Sequence, residues 1–100
     1  MIFFDHKLSV ENENIIEFTA LENSINEGEC KLDLTTDQAQ ISSITFNENK
    51  PYIAEGLIRS AFNLAANKGF YTGKCSCENA AYVLDKMNFE NRNGVYINDI

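Results

Sequence analysis

The feature that most constrains the fold is an amphipathic segment between Pro51 and Gly69. Apolar residues recur in it at three- and four-residue spacing, while polar residues fall largely on the opposite face. Pro51 suits the first turn of a helix, where a missing N–H costs little, and Gly69 suits the left-handed residue just past its end. The pattern predicts a helix of about 18 residues. Its apolar face comprises Ile53, Leu57, Ile58, Ala61, Phe62, Leu64 and Ala65.

The part of the chain before this helix has patterns typical of strands. Three segments fit strands by apolar content or by period-two alternation: 15–21, 30–34 and 38–46. The step from Ile41 to Ile44 breaks the alternation of the third segment, and a β-bulge near Ser42 and Ser43 would restore it. Residues 22–29 fit either a loop or a short helix.

After the helix, residues 70–75 fit a short strand and Ser76 fits the N-cap of a second helix. That helix has an apolar stripe formed by Ala80, Val83, Leu84 and Met87. It ends at 88–89, and a last strand over 95–97 follows the turn at 91–94. The order of elements predicts an α+β (mixed α/β) fold, with two main helices against a central, mostly antiparallel sheet. We expect one domain over residues 1–100, with 1–46 mainly strands and 91–100 a terminal strand.

The net charge excludes one class of partner. Fifteen acidic and eight basic residues give a formal charge of −7 at pH 7, which repels phosphate backbones, so we expect no nucleic-acid partner. The charge is uneven: residues 1–49 hold ten acids and two bases, whereas residues 50–100 hold five acids and six bases. An anionic ligand would therefore prefer the second half of the chain and a cationic ligand the first.

The sequence also predicts a location. No apolar run approaches the roughly 20 residues that a bilayer requires, and Phe4 is followed at once by Asp5, so we expect neither a signal peptide nor a membrane partner. The three cysteines are an odd number. Reduced thiols in a cytoplasmic protein fit them best.

The segment 44–89 carries the most information about function. It contains a strand, an Asn-rich loop, a long helix, a short strand and a shorter helix, and a helix that begins directly after a strand presents free N–H groups to an anion. This order resembles the coenzyme-binding half of the GNAT superfamily of acyl-CoA-dependent N-acyltransferases. In that family the loop reads Gln/Arg-x-x-Gly-x-Gly/Ala, and its amides hold the coenzyme A pyrophosphate.

The corresponding loop here is residues 49–54. Ala54 matches the last position of the family motif, and Asn49 is a shorter polar residue at the first position. Tyr52 replaces a glycine, Pro51 removes one amide donor, and Lys50 could restore positive charge. This loop therefore retains only part of the family's phosphate-binding pattern.

A second family motif, Tyr-x-Lys-x-Gly-Phe, corresponds to residues 84–89. Lys86 and Phe89 match it, and Asn88 stands for the glycine, since Asn accepts a left-handed backbone better than most residues. Leu84 occupies the place of the tyrosine that in many members protonates the leaving thiolate. Tyr82 lies two residues earlier, a rotation of roughly 200° around a helix, so it cannot simply substitute.

The resemblance implies an N-acetyltransferase that transfers an acyl group from acetyl-CoA, as co-substrate, to an amine on a small molecule or a protein. It assigns 47–90 as the coenzyme-binding-type half and leaves a homodimer open. The alternative is a catalytically inactive binding or interaction module of the same fold. The residues expected to contact coenzyme A are Ile44, Thr45, Phe46, Asn49, Lys50, Pro51, Tyr52, Ile53, Ala54 and Glu55.

The sequence does not identify the catalytic groups. Cys77, at a predicted helix N-terminus, and Tyr82 are the candidates, although a small buried residue is the simpler interpretation of Cys77. Asp33, Asp37, Glu48 and His6 fit surface roles better than that of a base. Cys75 and Cys77 form a Cys-x-Cys pair, but only Cys30 and His6 remain to complete four ligands, so we expect no metal.

Overall fold

A computed structural model describes all 100 residues. The elements in chain order are β1 (Ile2–Leu8), β2 (Ile15–Glu22), β3 (Ile25–Asp33), β4 (Ala39–Phe46), α1 (Pro51–Asn67), β5 (Thr72–Cys75), a 3-10 turn (Glu78–Ala80), α2 (Ala81–Lys86), β6 (Glu90–Arg92) and β7 (Val95–Asp99). The strands form one sheet in the order β1-β2-β3-β4-β5-β7-β6. Only β4 and β5 are parallel. The predicted mixed, mostly antiparallel sheet with two helices is confirmed.

Strands β1 to β4 form an antiparallel meander. Asn23 and Ser24 connect β2 to β3 with φ values of 53° and 69°, the left-handed conformation that two-residue hairpin turns require. The expectation of a loop or short helix over 22–29 was therefore wrong. The polar residues there belong to β3: Asn26 and Glu29 are exposed, and Glu27 is an extra residue where the register with β2 shifts between Ala20 and Leu21.

The predicted bulge in β4 is confirmed. Lys31 of β3 lies opposite Ser43, and Leu32 lies opposite Ile41, so Ser42 is an extra residue. The insertion lets Ile41 and Ile44 both point into the core, although their spacing does not fit a regular strand.

Helix α1 covers one face of the sheet with the predicted apolar residues. Leu57, Ile58 and Ala61 are fully buried, and the 20 buried residues of the core are all apolar or cysteine. The helix packs tightly on β3 at Gly28, where an added Cβ would lie 2.9 Å from the Ile53 side chain and from the Thr45 carbonyl oxygen. Gly69, with φ of 95°, ends the helix as predicted.

The C-terminal part differs from the prediction at one helix start. Ser76 is not an N-cap: Cys77 precedes the 3-10 turn, and no side chain caps it. Val83 and Leu84 are buried as predicted, and Asn88 has φ of 67°. The Phe89 ring stacks on Phe62 of α1, with centroids 5.8 Å apart, and this contact joins the two helical segments.

Two edge strands, β1 and β6, lack the alternation by which strands are recognised. The side chains of β1 are exposed or half-buried and those of β6 are all exposed, so neither strand has a buried apolar face. None of the helices combines the length and apolar character needed to cross a membrane.

Candidate functional site

The two parallel strands, β4 and β5, separate from one another. They pair through only three positions, the last of which joins Ile41 to Cys75. Beyond it the chain of β5 turns away into the 3-10 turn, while β4 continues to Phe46 and pairs only with β3. We call the space beside residues 42–46 of β4 the β4–β5 opening. One edge of the β4 backbone faces this opening without a partner strand.

Two side chains from the segment after β5 reach into the β4–β5 opening. The Asn79 amide nitrogen donates to the Ile44 carbonyl oxygen at 2.7 Å. The Cys77 thiol donates to the Ile41 carbonyl oxygen, with 3.8 Å between sulfur and oxygen. These side chains replace the hydrogen bonds that a neighbouring strand would otherwise make to β4.

The thiols near the opening have different acidities. The pKa of Cys77 is lowered to about 7, because it accepts a hydrogen bond from Cys75 and one from the Ile44 N–H, which together outweigh partial burial. The pKa of Cys75 is raised, because its thiol donates to Cys77 and is buried. Burial and the nearby Cys77 raise the pKa of Cys30 to about 12. Cys77 is therefore the reactive thiol of the three.

A second group of residues surrounds the N-terminus of α1. The Lys50 ammonium lies 2.8 Å from Glu22 Oε1 and 3.2 Å from Glu27 Oε1. The Tyr52 hydroxyl donates to Glu22 at 3.0 Å, and the Asn47 amide nitrogen donates to Glu27 at 3.2 Å. We call these five residues the α1 entrance cluster. It contains two carboxylates and one cation.

The same cluster shifts the acidity of its members. Hydrogen bonds from Lys50 and then Tyr52 lower the pKa of the Glu22 carboxyl. Glu22 and Glu27 raise the pKa of Lys50. Desolvation, followed by the hydrogen bond to Glu22, raises the pKa of Tyr52. At neutral pH, Glu22 is therefore ionised, Lys50 is charged and Tyr52 is neutral.

The amides at the start of α1 are mostly used within the chain. The Asn49 N–H donates to Asn47 Oδ1 at 3.0 Å, the Lys50 N–H donates to the Asn47 carbonyl at 2.8 Å, and the Ile53 N–H donates to the Lys50 carbonyl at 2.9 Å. Pro51 has no N–H. The Tyr52 N–H is left without an acceptor. A diphosphate at this point would thus meet few free donors and a cation already shared by two carboxylates.

The residues predicted to contact coenzyme A fall into two groups. Ile44, Thr45 and Phe46 border the β4–β5 opening, and residues 49–55 form the loop and first turn of α1. Ile53 and Ala54 are fully buried, so they offer only backbone atoms. Glu55 pairs with Arg59 at 2.9 Å on the exposed face of α1. The assignment of these ten residues to the coenzyme remains a prediction.

The tyrosine position of the second motif is apolar and inaccessible. Leu84 is 0% exposed, whereas Tyr82 is 54% exposed. The two residues therefore lie on different faces of α2, in line with their helical spacing.

The four side chains considered as bases take other places. Asp33 accepts the Thr35 N–H at 2.9 Å in the turn before β4, and Asp37 and Glu48 are exposed in the loops that flank β4. His6 lies in β1, three strands away from β4, where its ring packs on Phe18 with centroids 5.4 Å apart. No group of three His, Cys, Asp or Glu residues is arranged to hold a metal ion.

Sequence reasoning missed Glu22, Glu27, Asn47 and Asn79. The two glutamates belong to β2 and β3, far from Lys50 in the chain, and no local pattern connects them to it. Asn79 carried a weak signal, because polar residues just after a parallel strand often face a ligand site.

A shallow depression of about 180 Å³ lies on the sheet face opposite α1. Glu17 of β2 and Glu29 of β3 line it, together with the lysines Lys7 and Lys31. Thr45 of β4 also lines it, so this depression and the β4–β5 opening share one strand.

No protein-family model and no curated protein sequence matches this chain. Its structure is similar to that of a protein designated a probable acetyltransferase from Staphylococcus epidermidis, with a TM-score of 0.78 and 16% identity over 91% of this chain and 71% of that one. It is also similar to an IAA acetyltransferase from Bacillus cereus, with a TM-score of 0.76 and 12% identity over the whole of both chains.

A third similar structure is the PaiA N-acetyltransferase from Thermoplasma acidophilum in complex with coenzyme A. The TM-score is 0.64 and the identity 17%, over 87% of this chain and 60% of that one. These likenesses show that the chain has a GNAT-like fold, as the sequence resemblance predicted.

Proposed function

We propose that this protein is an N-acyltransferase that takes the acyl group of acetyl-CoA and transfers it to an amine. The observation that carries the proposal is the separation of β4 from β5, which leaves the β4 backbone edge unpaired beside a thiol of lowered pKa. The structural neighbours are designated acetyltransferases, and one of them is in complex with coenzyme A.

The residues present fit the thioester arm of the coenzyme better than its diphosphate. The backbone groups of Ile44 and Phe46 would hold the thioester arm, because they point away from β3 into the β4–β5 opening, whereas those of Thr45 bond to β3. At α1, the Tyr52 N–H and Lys50 would hold the diphosphate. Lys50 would then exchange at least one carboxylate for a phosphate, which weakens binding at that end.

Acyl-CoA, when bound, supplies an activated thioester for attack by an amine. Transfer also needs a group that moves protons near the reacting atoms. Leu84 has no proton to give, whereas the pKa of the Cys77 thiol is lowered to about 7, so this thiol ionises more readily than an ordinary cysteine. We assign Cys77 as the proton-transferring group in the opening, with the Ile44 N–H stabilising its thiolate.

The acceptor is an amine in this proposal, and the depression beside Thr45 is a place where it would bind. Glu17 and Glu29 on its wall would accept hydrogen bonds from the amine, while Lys7 and Lys31 balance their charge. The depression is open, so either a small molecule or a side chain of another protein fits its shape.

The test measures free thiol released from acetyl-CoA in the presence of a panel of amines and lysine peptides. We expect wild-type protein to release thiol with at least one acceptor, and Cys77→Ser to reduce kcat at least about tenfold, within the range for loss of an acid–base group. Asn63→Ala, on the exposed face of α1, is the control and should leave kcat unchanged. Equal rates for wild type and Cys77→Ser would contradict the role of Cys77.

The second candidate is a binding module without catalysis. It is favoured by the buried Leu84, by Asn79 on the Ile44 carbonyl, and by the pairing of Lys50 with two glutamates. Calorimetry with acetyl-CoA, together with thiol release, separates the candidates. A transferase should bind in the micromolar range and release thiol, whereas millimolar or weaker binding without thiol release would favour the module.

A further inference from the structure

Strand β1 forms one edge of the sheet, with β2 on one side only. The Ser9 N–H donates to the Ile15 carbonyl at 2.8 Å, and the Met1 carbonyl accepts from the Asn23 N–H at 3.1 Å. Because backbone groups alternate in direction along an antiparallel strand, the odd-numbered residues bond to β2. The N–H and C=O groups of Ile2, Phe4, His6 and Leu8 therefore face the open edge.

This edge lacks most of the features that prevent strands from pairing. It is seven residues long, whereas the opposite edge strand, β6, has three. It contains no proline and pairs with β2 in one continuous register, without a bulge along its length. Its protection consists of charged side chains and of one local contact, in which the His6 N–H donates to Asp5 Oδ1 at 2.9 Å.

The charges on β1 are complementary to themselves. Asp5 and Lys7 lie on the same face of the strand, on either side of His6. If the β1 strands of two copies pair antiparallel with His6 opposite His6, Asp5 of each copy lies opposite Lys7 of the other. The two charge pairs then lie on either side of the two-fold axis. The same register places Phe4 opposite Leu8, which is 58% exposed. Opposite charges and apolar pairs at facing positions stabilise two antiparallel strands.

The neighbouring registers are less favourable. Only registers that pair even-numbered residues join the outward N–H and C=O groups. Centring the pair on Asp5 or on Lys7 is destabilising, because it brings two aspartates or two lysines face to face. Centring it on Phe4 leaves Asp5 opposite Phe3 and Lys7 opposite Met1, with no charge pair. The pattern of charges therefore selects the register centred on His6.

We propose that two copies of this chain associate through β1, in an antiparallel pair centred on His6, so that one continuous sheet runs through both copies. The interface is isologous, since each copy contributes the same strand. This assembly does not depend on the acyltransferase proposal, because β1 contains no residue assigned to acetyl-CoA or to proton transfer, although Lys7 also lines the depression beside Thr45.

Sedimentation equilibrium of wild-type protein from 5 to 500 µM tests this assembly. We expect a monomer–dimer equilibrium in this range, as for an interface of modest area (roughly micromolar or weaker). Lys7→Asp should raise the dissociation constant about tenfold or more, because it puts like charges opposite each other twice. The double variant Asp5→Lys/Lys7→Asp restores the complementary pairs and should restore dimerisation.

Two further variants separate charge from backbone pairing. His6→Pro removes an N–H that faces the open edge and is not used by β2, so it should abolish the dimer while the fold, checked by circular dichroism, persists. Lys68→Asp, at the exposed end of α1, makes the same charge change away from β1 and should leave the dimer intact. A monomer at 500 µM, or a dimer unaffected by both Lys7→Asp and His6→Pro, would overturn the proposal.

Discussion

The backbone N–H and C=O groups find their hydrogen-bond partners in different ways in the first three strands and in the β4–β5 pair. β1 pairs with β2 through seven positions and β2 with β3 through eight, whereas β4 pairs with β5 through three. In the first region the peptide groups bond to neighbouring strands whatever the side chains are. In the β4–β5 opening they depend on Asn79 and Cys77. Side-chain changes should therefore act through packing in the first region and through hydrogen bonding or chemistry in the second.

The largest effect should come from the packed region. Leu57 of α1 is fully buried against β3, where a Cβ added to Gly28 would lie 3.1 Å from its Cδ1 atom. Leu57→Ala leaves a cavity, so we expect the free energy of unfolding to fall by about 2–5 kcal/mol. Urea denaturation measures this change. Asn63→Ala on the exposed face of α1 is the control. A decrease of less than about 1 kcal/mol in the free energy of unfolding of Leu57→Ala would show that the region is less tightly packed.

A smaller loss is expected in the β4–β5 opening. Asn79→Ala removes the donor to the Ile44 carbonyl, and we expect a loss of about 1–2 kcal/mol, the cost of leaving a partly buried acceptor unpaired. Asn79→Asp keeps the shape but has no N–H to donate, so it should be at least as destabilising at pH 7. Stability equal to that of wild type in both variants would mean that water replaces Asn79 freely, and the comparison between the two regions would then weaken.

The chemistry of the opening can be followed through Cys77 by alkylation with iodoacetamide. The thiolate is the reactive form, and a pKa of about 7 predicts a rate that rises with pH through about 7 and levels off above it. Cys75→Ala removes the hydrogen bond that contributes most, so the midpoint should move up toward the ordinary value of 9.0. Mass spectrometry should find Cys30 and Cys75 unmodified in the folded protein. A wild-type midpoint near 9 would contradict this account.

The smallest effect is expected at the α1 entrance cluster. The lowered pKa of Glu22 contributes stability that is fully present above its ordinary value of 4.5 and is lost as pH falls through the lowered value. The Tm difference between wild type and Glu22→Gln should therefore be greatest near pH 7 and shrink below pH 4.5. Because the Glu22 side chain is only partly buried, solvent screens its pairing with Lys50 and the difference should be small.

Glu29→Gln is the matched control for this measurement, since Glu29 bonds to Asn26 rather than to a lysine. A Tm difference for Glu22→Gln that grows as the pH falls would contradict the sign worked out for Glu22.

Local patterns were sufficient for the elements that carry the core. The apolar spacing from Ile53 to Ala65 predicted α1 and its buried face, and the step from Ile41 to Ile44 predicted the bulge. Apolar residues are spaced periodically along such elements, because each helix or strand must bury one of its faces. β1 has no such spacing, since an edge strand buries too little to require alternation. Ser76 suggested an N-cap, but the backbone after Cys77 first forms a 3-10 turn.

The sequence by itself determined the sheet-and-helix composition, the two ends of α1 and the left-handed residues Gly69 and Asn88, because these depend on neighbouring residues. Only the tertiary structure decided that Glu22 and Glu27 share Lys50, and that Asn79 and Cys77 take the free edge of β4. These contacts join residues up to 36 positions apart. They form where strands from distant parts of the chain meet, and hydrogen bonds of single polar side chains leave no periodic pattern to read.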